Sequence, residues 1–474
     1  MRKIIFFELN EVPFRIIDEY CHWRPRSPLA THLPECRQYE TYAEDLVLSP
    51  WVTWPTVHRG VTDRDHSIHH FGQDLSEADK AFPPLWKILA SQGVKVGVFG
   101  SLHSYPLPTN VECYAFYVPD TFASRSECFP EELSVFQEFN LFIARHSVRN
   151  VSTIIPWKLA LRLLAHRSRI GLRTSTLMDS AKQVLSEKFK SWRRIRRRTY
   201  QAVLAFDVFM KQVAETKPDF ATFFTNHVAS SLHRFWAAAH PQDYRKFRYD
   251  RDWVFRYRHE IEFTMRKFDS FFARLVRFVD RNPDYSLWLV SSMGQAATTA
   301  EPLKMQLYVT DITQFMETLG IGEGEWRQRA AMAPLVSVYV AAHKAPSFRS
   351  ALNNLMVGDH PLEYEEGEKG FFSISFGHVN LDSKPPYAIF NGKKIHYQEL
   401  GLANIPVEDK TKTNAYHIPA GSLIIYDPKD HSPKTDRTRI STVEIAPAIL
   451  RNFSLEVPSY MSHSGQFMLS PHYR

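Results

Sequence analysis

Cysteine is scarce in this 474-residue chain: Cys21, Cys36, Cys113 and Cys128 form no CxxC pair and lie too far apart for a disulfide scaffold. That excludes a small cross-linked secreted fold and makes a reducing interior the simplest reading. Long apolar runs are also absent, since no stretch of about eighteen such residues occurs, so a membrane-spanning helix is not supported. Internal repeats and low-complexity tracts are lacking as well. The first residues, MRKIIFFELNEV, begin basic and apolar, but Glu8, Asn10 and Glu11 interrupt them before a signal-peptide core is complete. They read as a first strand, and the expectation is a cytoplasmic protein, at most peripheral to a membrane.

What is present is an ordinary globular composition, 44% hydrophobic with a formal charge of +7. Five short apolar runs share a habit: Ile4 to Phe7, Val94 to Phe99, Phe220 to Phe224, Leu287 to Val290 and Leu423 to Tyr426. Each is followed by small or polar residues and then a helix-like stretch. Continuous apolar strands alternating with helices predict an α/β three-layer sandwich around a mostly parallel sheet. Residues 120–217 switch to helical periodicity and read as a basic helical insertion, in which Arg193, Arg194, Arg196, Arg197 and Arg198 fall within six residues. Residues 311–412 read as a small α+β lid subdomain, with 393–414 polar and loop-like. The core is then 1–119, 218–310 and 413–474.

In sheets of this kind ligands sit beyond the carboxyl ends of the strands. The groups following the strands here are Glu8 and Asn10, then Asn226 and His227, then Ser292 and Gln295, with Arg234 a little further on. They are mostly uncharged hydrogen-bonding side chains, suited to holding a small anionic or sugar-containing substrate, with Glu8 or His227 available for proton transfer. Arg234 can clamp a phosphate. The same residue types also cap strand ends, so strand-tip position leaves function and loop structure both open. The arginine cluster is a solvated helix face or a patch for an anionic membrane surface or polymer. No aromatic ladder accompanies it, which disfavours nucleic acid.

The stretch SPWVTWPTVHRGVTDRDHSIHHFG, residues 49–72, resembles the nucleophile segment of the alkaline phosphatase superfamily, in particular its nucleotide pyrophosphatase/phosphodiesterase branch. That branch carries Thr-Phe-Pro-Asn, then Thr-Gly-Leu and His-Gly-Ile. Further similarities follow in order: Glu8 at a first-strand metal-ligand position, GVKVGVFGS, HIPAGSLIIYDP with His417, and STVEIAPAILRNFSLEVPSYM. The resemblance implies an alkaline-phosphatase-like fold and Thr53 as nucleophile. The stretch to Gly60 is shorter than the family's, which leaves Thr53 or Thr56. It also implies metal ligands at Glu8, His233 and His417.

Three other ligand positions of the family are occupied here by Ala229, Ser292 and Met293, none a strong ligand for a hard cation. The two-metal site is therefore expected to be degenerate, with one divalent ion such as zinc, or none. The readings that remain are a hydrolase or transferase acting on a phosphate, phosphodiester or related ester, and a metal-free transferase acting on a glycan or nucleotide-activated sugar. A third is a non-catalytic protein that binds an anionic polymer or membrane surface.

Overall fold

The computed structural model describes residues 1–145, 156–331, 334–358, 360–378, 380–381, 387–407, 411–430 and 432–461. All five apolar runs form strands of one eight-stranded sheet. Its labelled strands are β1 (Lys3–Leu9), β2 (Arg37–Tyr42), β3 (Val96–Phe99), β4 (Phe116–Val118), β5 (Phe220–Thr225) and β6 (Tyr285–Val290). The sheet order is Lys434–Ser441, β2, Leu423–Tyr426, β6, β1, β5, β3, β4. Every neighbouring pair is parallel except those made by Leu423–Tyr426, which runs antiparallel between β2 and β6. Three strands of the sheet, β2, β4 and Lys434–Ser441, were not among the apolar runs. Lys434–Ser441 alternates charged and hydroxyl residues and is mostly exposed, as suits an edge strand.

The period-two geometry of a strand explains the layering. Along β1, Ile5, Phe7 and Leu9 pack into one apolar cluster, and Ile4 and Phe6 into another. Leu287 and Leu289 against Trp288 and Val290 divide β6 in the same way. The first cluster joins the sheet to helices Arg197–Thr216, His227–Ala239 and Glu260–Arg281. The second joins it to helices Pro50–Arg59, Leu85–Ser91 and Ile445–Asn452. The result is the expected α/β three-layer sandwich.

Helices Ser134–Arg145, Trp157–Ala165, Thr174–Phe189 and Arg197–Thr216 occupy the stretch before β5. Between residues 305 and 406 lie two small four-stranded sheets around a separate apolar cluster that includes Phe315, Phe348, Phe372 and Leu400. The segment expected to be loop-like contains strands Lys393–His396 and Leu402–Pro406. The second pairs with Met305–Val309, because Leu402 and Leu400 supply apolar anchors that the polar composition concealed.

The arginine cluster is not a freely solvated face. Arg196 grips Glu260 with Nε at 2.8 Å and Nη2 at 2.6 Å, and its guanidinium lies 4.0 Å from the Phe263 ring. Arg197 holds Glu187, its Nε and Nη2 both donating to Oε2 at 2.9 Å and 2.6 Å. Glu260 is buried, so removing its cation leaves an unpaired interior charge. Arg196→Ala is therefore expected to cost about 3 kcal/mol of stability, read as a lower urea midpoint, and an unchanged midpoint would contradict this anchoring role.

Candidate functional site

The centre of the site is a residue that the sequence reading passed over. Glu11, two positions beyond β1, adopts a left-handed backbone with φ 58° and is buried. A non-glycine residue there is uncommon and strained, a condition that structures retain mostly at functional sites. Its Oε2 lies 2.8 Å from His233 Nε2 and 3.3 Å from His417 Nε2, and it also accepts a hydrogen bond from Gln295 Nε2. Oε1 accepts from Asn10 Nδ2 at 2.7 Å.

Four elements supply these donors. Asn10 follows β1, and His233 lies on helix His227–Ala239. Gln295 belongs to strand β7 (Gly294–Ala297), and His417 sits directly opposite it on the paired strand Ala415–Ile418. Gly294 permits that pairing: a Cβ there would stand 2.2 Å from the Ala420 carbonyl oxygen.

The far sides of both imidazoles are fixed. His233 Nδ1 is 2.8 Å from the Ala415 carbonyl oxygen, and His417 Nδ1 is 2.6 Å from that of Leu48. Carbonyls only accept, so each Nδ1 carries a proton and each Nε2 faces the carboxylate. Burial alone would raise the Glu11 carboxyl pKa, but His417 and His233, by charge and hydrogen bond, reverse this and hold it far below the usual range. His417 is the complement. Burial depresses it, while the Glu11 charge, the Glu11 hydrogen bond and the Leu48 carbonyl together keep it above the ordinary imidazole value.

One carboxylate and two imidazoles, whose ligand atoms all lie within 4.8 Å of one another, match the donor set of a divalent-cation site. The backbone carbonyls behind each Nδ1 are the outer support such ligands ordinarily have.

Glu8, expected among these ligands, is not with them. It shares the parity of Ile4 and Phe6 along β1 and points to the opposite layer. There Oε1 accepts from His58 Nε2 at 2.8 Å and Ser101 Oγ at 3.1 Å. His227 is likewise separate. Its Nδ1 meets Thr225 Oγ1 at 2.7 Å and its ring packs 5.5 Å from Phe271, so burial pulls its pKa down to about 3. Six residues of helix rotate it well away from His233. Arg234 lines a cavity beside Arg196, Arg198 and His227 rather than the Glu11 cluster.

The remaining strand-tip groups do converge. Asn226 Oδ1 accepts from Asn10 Nδ2 at 2.8 Å, and its residue is exposed, while Trp54 Nε1 donates to Asn10 Oδ1. Thr53 and Ser292 share a 2.9 Å hydroxyl contact, and both are fully buried. Thr56, the other nucleophile candidate, is committed elsewhere: its hydroxyl donates to Asp45 Oδ1 at 2.5 Å and lies 3.0 Å from His66 Nε2. Burial pushes Asp45 up to about 6 and pulls His66 down to about 3. His233, with 23% of its side chain accessible, forms the solvent-facing side of the cluster, and the half-exposed Tyr416 ring stacks 4.3 Å from His417.

The charges give a pH signature to metal-free protein. His417 is raised in the folded state, so its contribution is complete below the ordinary imidazole value and disappears as pH climbs through the raised one. Glu11 is depressed, so its contribution is present throughout the neutral range and lost only in strong acid. Chelator-treated protein should therefore lose stability as pH rises above the ordinary imidazole value. His417→Gln should flatten that slope in urea titrations, and a slope unchanged by the substitution would refute this assignment.

No protein-family model matches this chain, and no curated protein matches it. Among solved structures, an inactive murine ectonucleotide pyrophosphatase/phosphodiesterase 5 in complex with AMP is similar at 10% identity over 98% of both chains, with a TM-score of 0.42. The phosphonoacetate hydrolase of Sinorhizobium meliloti in complex with phosphonoacetate is similar at 10% identity over 94% of both chains, with a TM-score of 0.39. A multiply substituted alkaline phosphatase, PafA, is similar at 12% identity over 97% of both chains, with a TM-score of 0.46.

Proposed function

We propose that this protein hydrolyses or transfers a phosphoryl, phosphodiester or related ester group, with one divalent cation held by Glu11, His233 and His417. The observation that carries the reading is the convergence of one carboxylate and two Nε2 atoms whose imidazoles are already oriented from behind. The ordered sequence motifs supply the class of reaction. A cation bound there would act as a Lewis acid toward an ester or phosphoryl oxygen.

The chain's own groups have distinct tasks in this reading. Asn10 and Gln295 hold the Glu11 carboxylate in place. The exposed Asn226, braced by Asn10, donates to a substrate oxygen. Thr53 is the proposed nucleophile, on the first turn of helix Pro50–Arg59, with Ser292 orienting its hydroxyl. Ser292 is too weak a base to keep that proton, which passes to the departing ester oxygen so that the leaving group exits as the alcohol. The second reading is metal-free transfer to or from a glycan or nucleotide-activated sugar. It is favoured by the hydrogen bonds from Gln295 and Asn10 that already satisfy Glu11, with His233 as the solvent-facing proton donor.

Metal analysis of protein purified without chelator, run beside turnover of a phosphodiester and of a nucleotide-activated sugar, tests both readings. About one divalent ion per chain is expected, lost with turnover in Glu11→Ala, His233→Ala and His417→Ala but kept in Glu8→Ala. Turnover without metal would establish the second reading; neither metal nor turnover would sink both. Affinity should rise with pH above the ordinary imidazole value, because His417, kept protonated by Glu11, must release its Nε2 proton to bind a cation. Gln295→Ala, which removes an outer support of Glu11, should weaken affinity about 10- to 100-fold.

A further inference from the structure

Apart from Leu177, which packs on the core, helix Thr174–Phe189 turns polar side chains inward and apolar ones outward. Its buried positions are Thr176, Gln183 and Glu187, whereas Met178, Ala181, Leu185 and Phe189 face solvent, Phe189 with 88% of its surface exposed. The exposed positions recur every three or four residues and so form one stripe. The orientation is locked from behind. Gln183 donates to the Arg193 carbonyl at 2.8 Å, and Arg197 clasps Glu187 with Nε at 2.9 Å and Nη2 at 2.6 Å. Rolling the apolar edge inward would break that buried ion pair, which is costly.

Helix Trp157–Ala165 has the same habit. Trp157, Leu161 and Leu164, spaced four and three residues apart, are exposed while Leu163 is buried. Between Trp157 and Arg198 there are thirteen lysines and arginines against two acidic residues, a surplus larger than the +7 of the whole chain. Arg196 and Arg197 are used internally. Arg162 is paired with Glu138, whereas Lys158, Lys182, Lys188 and Lys190 are exposed beside the apolar stripes.

We infer that helices Trp157–Ala165 and Thr174–Phe189 dock on the surface of an anionic phospholipid bilayer. Apolar side chains bordered by lysine and arginine are what an interfacial helix requires: the hydrocarbon enters the headgroup boundary while the cations meet lipid phosphates. The long basic side chains can lie along the apolar edge and keep their charges outward. A second copy of the chain is a poor occupant, because two faces with this cationic surplus would repel. The inference stands apart from the proposed chemistry, since it uses no residue of the Glu11 cluster.

The test is cosedimentation of the full chain with vesicles of phosphatidylcholine alone and of phosphatidylcholine with phosphatidylglycerol. Binding is expected only to the anionic vesicles. It should fall at least about tenfold when Leu185→Gln and Phe189→Gln are combined, and fall comparably for Lys182→Glu with Lys188→Glu. These residues are exposed, so an unchanged thermal unfolding profile verifies that the variants fold. Wild-type protein that ignores anionic vesicles would overturn the inference, as would vesicle binding indifferent to the Leu185 and Phe189 changes. A dimer in gel filtration that those changes dissolve would assign the face to a second copy. Equal binding to polyglutamate, independent of the apolar pair, would assign it to an acidic polymer.

Discussion

A single buried carboxylate organises the cluster of side chains beyond the carboxyl end of β1. Glu11 accepts hydrogen bonds or ion pairs from Asn10, His233, Gln295 and His417, which come from four different places in the chain. A buried charge is tolerated only when such partners meet it. Each partner in turn constrains the fold. β1 has to stop at Leu9 so that the chain can turn left-handed at Glu11, and β7 has to approach closely enough at Gly294 to seat Gln295. The Ala415–Ile418 strand must pair so that His417 stands opposite Gln295. The unusual backbone at Glu11 costs about 1–3 kcal/mol, and the four donors offset it.

The five apolar runs were legible as strands because fully buried strands need continuous apolar sequence, and that signal is local. The alternation that assigns their faces was also present in the sequence, and it bears directly on Glu8. A residue in step with Ile4 and Phe6 goes to the layer containing Trp54 and His58, whatever the resemblance places at that position. His233 and His417, expected from the sequence to share a site, do meet at one carboxylate. That carboxylate was not legible, because Glu11 reaches them only through a backbone turn that composition does not announce. A glutamate placed immediately after a strand and an asparagine was the available hint.

The charged residues taught the opposite lesson. Five arginines in six residues invite a surface reading, yet Arg196 and Arg197 are spent on Glu260 and Glu187 inside the molecule. The partners lie 64 and 10 residues away, distances at which sequence gives no pairing signal. The Arg197–Glu187 pair holds the polar edge of Thr174–Phe189 inward, so the apolar outer stripe follows from that one arginine of the cluster.

The arrangement around Glu8 bears on how many cations the site can serve. His58 occupies one Glu8 oxygen and is itself packed against Trp54 and Trp86, with ring centroids 5.6 Å and 4.7 Å away. Ser101 takes a further bond to the same oxygen, and Ser292 and Met293 offer nothing to replace a carboxylate and an imidazole. Glu8 is therefore closed into the core by an imidazole and two indoles. At the other locus, buried Ala229 lacks the carboxylate that the resemblance places on helix His227–Ala239, and Glu11 delivers one from the opposite direction. The two carboxylates therefore stand apart, Glu11 facing His233 and His417, and Glu8 packed against His58. A second cation would need anionic ligands to offset its charge, and the strand tips offer neutral hydroxyls and amides instead, so the proposed chemistry asks for one cation at most, with hydrogen-bond donors holding the rest of an anionic substrate.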